Sequence, residues 1–419
     1  MKLILGCGLT GLSVASYFAK NNTKFVIADN RNNPPLANEL PQCQTYFGAW
    51  HKDILSSIDE IIISPGINPN EKIVLWAIEQ KIKIISDIDL FYKDNKDKTI
   101  IGITGSNGKS TTVKLLEFVL QKLGLKAVGC GNIGLPVLDI KGVYEVIILE
   151  LSSYQLDYVN DLKLNYGLIL NITPDHLDRY KTIENYTNSK LKIHTISDEV
   201  IANRDANLTN SAIGFTNKVP KNNDFGVIDC HGGKFVIFKD EVVLCYAQCK
   251  LFGTHNLENI LAVLTICQQL KLDLKKVENA IYKFKGIEHR LEFVKTIDMV
   301  DFYNDSKATN ASSAIVAIQA LRAKYQTITL LLGGEKKAED YTELLDLINF
   351  EKISVIVFGS SKEFFTSQLN NVKIAKNFKS AVNLAKQTSD ECVLLSPACA
   401  SFDEFSNFEE RGHLFKKLL

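Results

Sequence analysis

At 419 residues the chain is too long for one ordinary core, so two or three domains are expected. Hydrophobic residues make up 46% and charged residues 23%, the balance of a soluble globular protein. Lys plus Arg and Asp plus Glu number 48 each, so the formal charge is zero and gives no support for nonspecific nucleic-acid or anionic-membrane binding.

The chain opens with a short apolar strand, Lys2 to Leu5, without the basic flank or long apolar core of a secretory signal. No apolar run approaches the roughly 20 residues of a membrane helix. Gly6 to Gly11 reads as a turn and Leu12 to Lys20 as a helix. Phe25 to Ala28 is the next strand, ending at Asp29, and Ile61 to Ile63 is a strand stopped by Pro65-Gly66. The polar stretch Lys93 to Lys98 has no periodicity and reads as a linker. A second unit opens with strand Thr99 to Ile103, a Gly-rich turn and a helix from Lys109 to Leu123. Strands Val146 to Leu149 and Gly167 to Leu170 continue it. Asn203 to Gly233, rich in Asn, Asp and Gly, reads as loops and short strands, and Asn256 to Leu270 as a helix. A second boundary falls at Gly286 to His289. The third segment has strands at Ile328 to Leu332, Ile353 to Phe358 and Cys392 to Leu395. Strands alternating with amphipathic helices imply an α/β protein with mainly parallel sheets. The expected domains are 1–95, 96–286 and 287–419. The nine cysteines are scattered, with no Cys-x-x-Cys, and read as reduced thiols of a cytoplasmic protein.

The segment Gly102-Ile-Thr-Gly-Ser-Asn-Gly-Lys-Ser-Thr-Thr112 follows a strand and opens a helix, the context of a phosphate loop. Gly105 and Gly108 let the backbone approach phosphates, and Ser106 and Asn107 between them are expected to bind ATP as well. Lys109 would reach the β- and γ-phosphates, Ser110 would supply an oxygen to Mg²⁺, and Thr111 lies in the same helical turn. The usual spacing places a glycine where Ile103 stands, so the loop is a variant. Gly6-Cys-Gly8-Leu-Thr-Gly11, followed by Asp29 at the end of the next strand, fits a dinucleotide-binding turn. A hydride-transfer enzyme needs no ATP loop, so NAD suits the whole chain badly.

Taken together, Gly102 to Thr112, Leu149-Glu-Leu-Ser-Ser-Tyr-Gln-Leu156, Asn171-Ile-Thr-Pro-Asp-His176-Leu-Asp-Arg179 and Gly253-Thr-His-Asn256-Leu-Glu-Asn259 resemble the central domain of the Mur ligases of bacterial cell-wall synthesis. Asn304-Asp-Ser-Lys307-Ala-Thr309-Asn, Leu332-Gly-Gly334 and Ser396-Pro-Ala-Cys-Ala-Ser401-Phe-Asp403 resemble the branch that adds D-glutamate. The family's selector for meso-diaminopimelate, Asp-Asn-Pro-Arg, is absent. The resemblance implies three domains: an N-terminal Rossmann-like UDP-binding domain, a central P-loop ATPase-like domain and a C-terminal Rossmann-like domain. It implies ATP- and Mg²⁺-dependent joining of D-glutamate to UDP-N-acetylmuramoyl-L-alanine through an acyl phosphate, by a monomer without a membrane span. The alternatives are another Mur or folyl-polyglutamate type of amide ligase, or a noncatalytic nucleotide-binding protein.

The resemblance also assigns residues. Glu150 and His176, with Ser110, would hold Mg²⁺, expected as two ions. Lys190 corresponds to the lysine the family carbamylates, with Lys192 as the register alternative; a carbamate replaces a repelled ammonium by an anion. Asn132 would donate to acyl or phosphate oxygens. Asn256, Asn259, Arg290 and Asp305 resemble ATP contacts. Leu9, Thr10, Arg31 and Gly66, joined by Asn132, Ser153 and His176, resemble contacts to the UDP-sugar. Lys307 would meet phosphate or the acyl group. Thr309, Lys337, Ser401 and Phe408 resemble the D-glutamate pocket. The family often has Asp-Gly-Lys where this chain has Glu335-Lys336-Lys337, so either lysine is open; gapless alignment favours Lys337.

Overall fold

The computed structural model describes residues 1–419 apart from positions 133, 210, 222, 231–232, 252 and 388–389, and apart from the side chains of 178 and 254. The chain divides into two compact units, 1–247 with 258–281, and 248–257 with 282–419. The first unit carries two sheets and the second unit one.

The first sheet is wholly parallel, in the order β3-β2-β1-β4-β5, with β1 Lys2–Leu5, β2 Phe25–Asp29, β3 Gln44–Phe47, β4 Glu60–Ile63 and β5 Lys83–Ile85. Its central strands are continuous apolar runs because helices and loops cover both faces. Leu5 pairs with Ala28 and with Ile63, so the chain leaves β1, β2 and β4 at one edge, at Gly6, Asp29 and Ser64. The helix after β1 begins at Leu9, not Leu12. Gly11 thus lies inside the helix, where any Cβ would run into the Gly6 carbonyl; its missing side chain lets the helix start early and pack onto the turn.

The second sheet runs β14-β13-β12-β11-β10-β9-β6-β8-β7. Its parallel part comprises β6 Thr99–Thr104, β7 Ala127–Gly131, β8 Val146–Glu150, β9 Leu164–Ile169, β10 Ser197–Asn203, β11 Ile213–Phe215 and β12 Phe225–Cys230. An antiparallel edge is added by β13 Gly233–Phe238 and β14 Glu241–Cys245. Ile103 and Gly131 both pair with Glu150, and Thr104 with Ile169. That register brings the phosphate loop, Asn132, Glu150 and the segment after Ile169 out at one edge. The stretch 93–98 is less of a linker than its composition suggests. Helix Asp87–Asp94 runs into it, started by a Ser86/Asp89 capping box.

The second unit holds the order β15-β16-β20-β17-β18-β19, with β15 Glu292–Ile297, β16 Val300–Asn304, β17 Ile328–Gly333, β18 Ser354–Phe358, β19 Val372–Ile374 and β20 Cys392–Leu395. Helices cover both faces of this sheet. Leu395 pairs with Asn304 and Leu331, so 305, 333 and 396 follow at one edge. The β15–β16 hairpin was not expected from the sequence, because half-exposed edge residues carry no apolar run. Among the described residues no helix is long and apolar enough to cross a membrane.

Candidate active site

At the edge of the first sheet, Leu9, Thr10, Arg31 and Gly66 line one cavity of about 420 Å³. Asp29, at the end of β2, organises its floor. It accepts from the Cys7 amide at 2.7 Å and from the Arg31 Nε and amide at 2.8 and 2.9 Å. Burial alone would push this carboxyl up, but the Arg31 guanidinium and the Cys7 amide hold it below its ordinary value. Asp29 therefore faces the protein's own donors, and half-exposed Arg31 is left to face the cavity.

At the edge of the second sheet the loop 105–108 turns through two glycines, Gly105 at φ +154° and Gly108 at +83°. Gly108 caps helix Lys109–Lys122, and a Cβ there would meet the Asn259 amide oxygen. That oxygen also accepts from Thr112 Oγ1 at 3.1 Å. Asn259, a site residue expected from the sequence, thus braces the loop from behind, on the same helix as Asn256. Ser106 and Asn107 are stitched to the next segment. The Asn107 amide donates to Asn171 Oδ1 at 2.9 Å, and Ser106 Oγ bonds Tyr186 at 3.0 Å. Lys109 donates to the carbonyls of Gly105 and Ser106 at 2.7 and 2.8 Å. Ser110 and Thr111 follow in the first helical turn.

Glu150 ends β8 and is 2% exposed. Its Oε1 accepts from Asn132 Nδ2 at 2.9 Å, while Oε2 is buried without a hydrogen-bond partner. A buried lone carboxylate oxygen beside a phosphate loop is the donor that a hard divalent cation suits, so the residues fit Mg²⁺. Ile133, next to Asn132, lies outside the described residues. Lys190 is equally buried, on helix Ile183–Thr195, and donates to Gly105 O at 3.0 Å and Thr104 Oγ1 at 3.3 Å. Burial and then the Lys109 charge push its ammonium down to about 7. Lys192, half-buried, points instead to the Asp157 carbonyl at 3.4 Å. His176 stands exposed in a left-handed conformation, with Nδ1 bonded to Tyr154 OH at 3.1 Å. Ser153 opens helix Ser153–Tyr158, where its carbonyl accepts from Ser189 Oγ at 2.9 Å. Sequence reasoning passed over Tyr186, whose ring lies 4.8 Å from Lys190 Nζ, and Arg179, stacked 3.9 Å over Tyr154 and bonded to the Pro65 carbonyl at 2.9 Å. Arg179 was inside the quoted motif; Tyr186 was not.

At the edge of the third sheet Asp305 is buried, accepting from the Leu291 amide at 3.0 Å and from Ser396 Oγ at 2.8 Å. Burial pushes it up to about 7, while Ser396, the Leu291 amide and Arg290 pull the other way. Lys337 donates to Thr309 Oγ1 at 3.2 Å. Lys336 lies instead over the rings of Phe364 and Tyr341, at 4.6 and 5.5 Å. Lys307 sits 5.4 Å from the Phe408 ring, and Ser401 is buried in the 396–401 loop. Thr309, Lys337, Ser401, Phe408 and Lys307 thus belong to one sheet edge of the second unit.

Among the described residues, one group of three metal-ligating side chains converges, Glu288, His289 and His413, within 4.8 Å. Neither Glu150 nor His176 is in it. His289 is a poor ligand. Its Nδ1 accepts from Asn304 Nδ2 at 2.9 Å, and that amide is oriented by Ser306 N at its oxygen, so Nε2 carries the proton. Lys416 already bonds Glu288.

Comparison with known proteins joins these edges. Three family models match in succession: "Mur ligase MurD-like, N-terminal domain" over residues 1–86, "Mur ligase middle domain" over 103–267, and "Mur ligase, glutamate ligase domain" over 289–399. The chain is 37% identical to a UDP-N-acetylmuramoylalanine–D-glutamate ligase of Francisella tularensis subsp. novicida, covering 100% of this chain and 95% of that protein. The chain belongs to the Mur ligase family. A second such ligase, from F. tularensis subsp. tularensis, is 36% identical with the same coverage. Mur ligase folds also appear among solved structures. UDP-N-acetylmuramate–alanine ligase of Thermotoga maritima superposes with a TM-score of 0.59 at 18% identity, covering 99% of this chain and 98% of that one. MurF ligase of the same organism gives 0.60 at 17% identity, covering 100% and 94%. The Mur ligase fold accounts for three α/β domains with mainly parallel sheets, as the sequence suggested.

Proposed function

We propose that this Mur ligase joins D-glutamate to UDP-N-acetylmuramoyl-L-alanine, consuming ATP and releasing ADP and phosphate, in peptidoglycan synthesis. The observation that carries the reading is the 37% identity to named D-glutamate ligases across the whole chain. Such similarity runs through all three sheet edges and not through the ATP loop alone.

The residues suit the chemistry. The substrate carboxylate is phosphorylated, and the amino group of D-glutamate then attacks the acyl phosphate. Positioning and charge stabilisation do most of this work. The glycine turn at 6–11, with Arg31 and Gly66, holds the uridine diphosphate. The loop 105–111 holds the ATP phosphates through its amides and Lys109. Ser110, Glu150 and His176 would hold Mg²⁺, which when bound would neutralise charge on the phosphates. Lys190 serves as a carbamate. Its burial and lowered basicity keep an unprotonated amine available to form an N–C bond to CO₂ with release of a proton to solvent, and the resulting anion would orient the metal. Asn132 keeps one Glu150 oxygen engaged and leaves the other, which has no partner, as the one that would meet the cation. Lys337 and Thr309, bonded to each other, supply a cation and a hydroxyl for the carboxylates of D-glutamate, with Ser401 and Phe408 closing the pocket.

The deciding experiment is coupled ADP release with UDP-N-acetylmuramoyl-L-alanine and either D- or L-glutamate. Turnover with D-glutamate alone is expected. Equal use of L-glutamate, or turnover with another acceptor in a panel, would assign the chain to a sibling ligase. Lys109→Ala should abolish the D-glutamate-dependent release, and retained activity would remove the phosphate loop from the reading.

A further inference from the structure

Two loops at the edge of the third sheet, 305–309 and 396–401, carry Lys307, Thr309 and Ser401. Arg411, on helix Phe408–Leu418, ties them together. Its side chain is 0% exposed. Nε donates to Ser306 Oγ at 3.0 Å and one Nη to the Ser306 and Cys399 carbonyls at 2.8 and 3.2 Å. The other Nη donates to the Ala400 carbonyl at 3.3 Å. Gly334 makes room for this fork, since a Cβ there would come within 3.1 Å of Arg411 Nη1.

Every acceptor is neutral. Among the described residues Arg411 forms no salt bridge. Cys399 and Asp403 act on it electrostatically without a hydrogen bond, Asp403 being an exposed carboxylate bonded to the Ser360 amide at 2.8 Å. Burial lowers the guanidinium to about 10, so it remains a cation at neutral pH. A buried charge without a counter-ion is expensive, and carbonyl dipoles offset its desolvation without cancelling its field. The edge it underlies also carries Lys307 and Lys337 and is the one that receives a dicarboxylate.

We propose that Arg411 is a positioning residue for the amino-acid substrate: it holds the 305–309 and 396–401 loops together and places a buried positive charge, hydrogen-bonded only to neutral acceptors, beneath the pocket for the two carboxylates. This rests on the D-glutamate reading above. Arg411 touches no reacting atom; it acts through the loops and through its field.

The test compares wild type with Arg411→Lys, which keeps the charge, and with Arg411→Gln and Arg411→Met, which remove it. Each is checked for folding by thermal melting. D-Glutamate is titrated against saturating ATP and UDP-N-acetylmuramoyl-L-alanine, and each other substrate in turn. In a folded neutral variant the KM for D-glutamate should rise about tenfold or more, as expected for a charge several ångströms from a carboxylate. The Lys variant should stay within about threefold, and the KM values for ATP and the nucleotide sugar within about twofold. An unchanged KM for D-glutamate in a folded neutral variant overturns the proposal. So does a parallel rise for all three substrates, or a Lys variant as impaired as the neutral ones. Failure of both neutral variants to fold assigns Arg411 to the fold alone and overturns it too. The D-glutamate reading fails separately, by absence of D-glutamate-dependent turnover in wild type.

Discussion

Lys190 sits where its own charge is disfavoured. It is buried, it faces carbonyl and hydroxyl oxygens, and Lys109 adds a second positive charge nearby. The proposed carbamate would resolve that conflict by inverting the sign. Lys190→Ala is accordingly expected to lower turnover on the order of 10- to 100-fold or more, as loss of a metal-orienting group does. A short-chain carboxylic acid should restore part of it, by placing a carboxylate in the space the side chain leaves. Lys192→Ala, which loses only a 3.4 Å bond to the Asp157 carbonyl, should keep near wild-type turnover without rescue. Rescue of the Lys192 variant and not of the Lys190 variant would move the carbamate by two residues. This site was partly legible beforehand. Lys190, Glu150 and Asn132 could be named because each lies in a short motif. That Glu150 keeps one oxygen without a partner, that Tyr186 packs against Lys190, and that Arg411 has only neutral acceptors could not be named. Each depends on side chains that chain register brings together from distant segments.

Among elements, the parallel strands were the most legible, because burial on both faces forces unbroken apolar runs such as Ile61–Ile63 and Cys392–Leu395. Helix starts and sheet edges were less so. The first helix begins three residues early because Gly11 tolerates close packing, and β15 is an edge strand whose exposed positions hide its period. Helix Asp87–Asp94 has a feature that composition conceals altogether. Its first residue, Asp87, is buried, its Oδ1 has no partner, and burial pushes the carboxyl up to about 7. The unfolded chain releases this proton near pH 4 and the folded chain near 7. Between those values the folded state binds more protons, so stability falls as pH rises, and the loss is complete above the folded value. It amounts to a few kcal/mol at most. Asp87→Asn cannot ionise, so its stability relative to wild type should climb between pH 4 and 7 and then level off in urea melts. A difference that is flat across this range would show that Asp87 stays charged in the fold. The phosphate loop offers a sharper case at the same scale. Gly108→Ala meets both a φ of +83° and the Asn259 amide oxygen, and should lose ATP-dependent turnover while the sheets persist. Normal turnover in that variant would mean that the loop relaxes around the methyl group.

Over the whole molecule, three sheet edges each gather a separate set of candidate binding groups, and register explains why. In each sheet neighbouring strands end level, at Leu5, Ala28 and Ile63 in the first, Ile103 and Glu150 in the second, Asn304 and Leu395 in the third. Ligands of parallel sheets collect where such carboxyl ends meet loops. The two compact units each have their own cores, so a single two-state unfolding transition is not expected. Three substrates should instead leave three footprints in amide hydrogen exchange. UDP-N-acetylmuramoyl-L-alanine should protect 6–11, 29–31 and 64–68, and a nonhydrolysable ATP analogue with Mg²⁺ should protect 104–112 and 171–176. D-Glutamate, added to enzyme already holding the other two, should protect 305–309, 334–337 and 396–403. At a ligand concentration near 100 times Kd, each should stabilise its segments by about 2.7 kcal/mol, which slows exchange through local opening about a hundredfold. Protection by D-glutamate confined to the phosphate loop would place the amino acid at the second sheet and dissolve the pocket built on Thr309, Lys337 and Ser401. Protection at the third edge that disappears in a folded Arg411→Gln variant, while the nucleotide footprints persist, would tie that pocket to the charge beneath it.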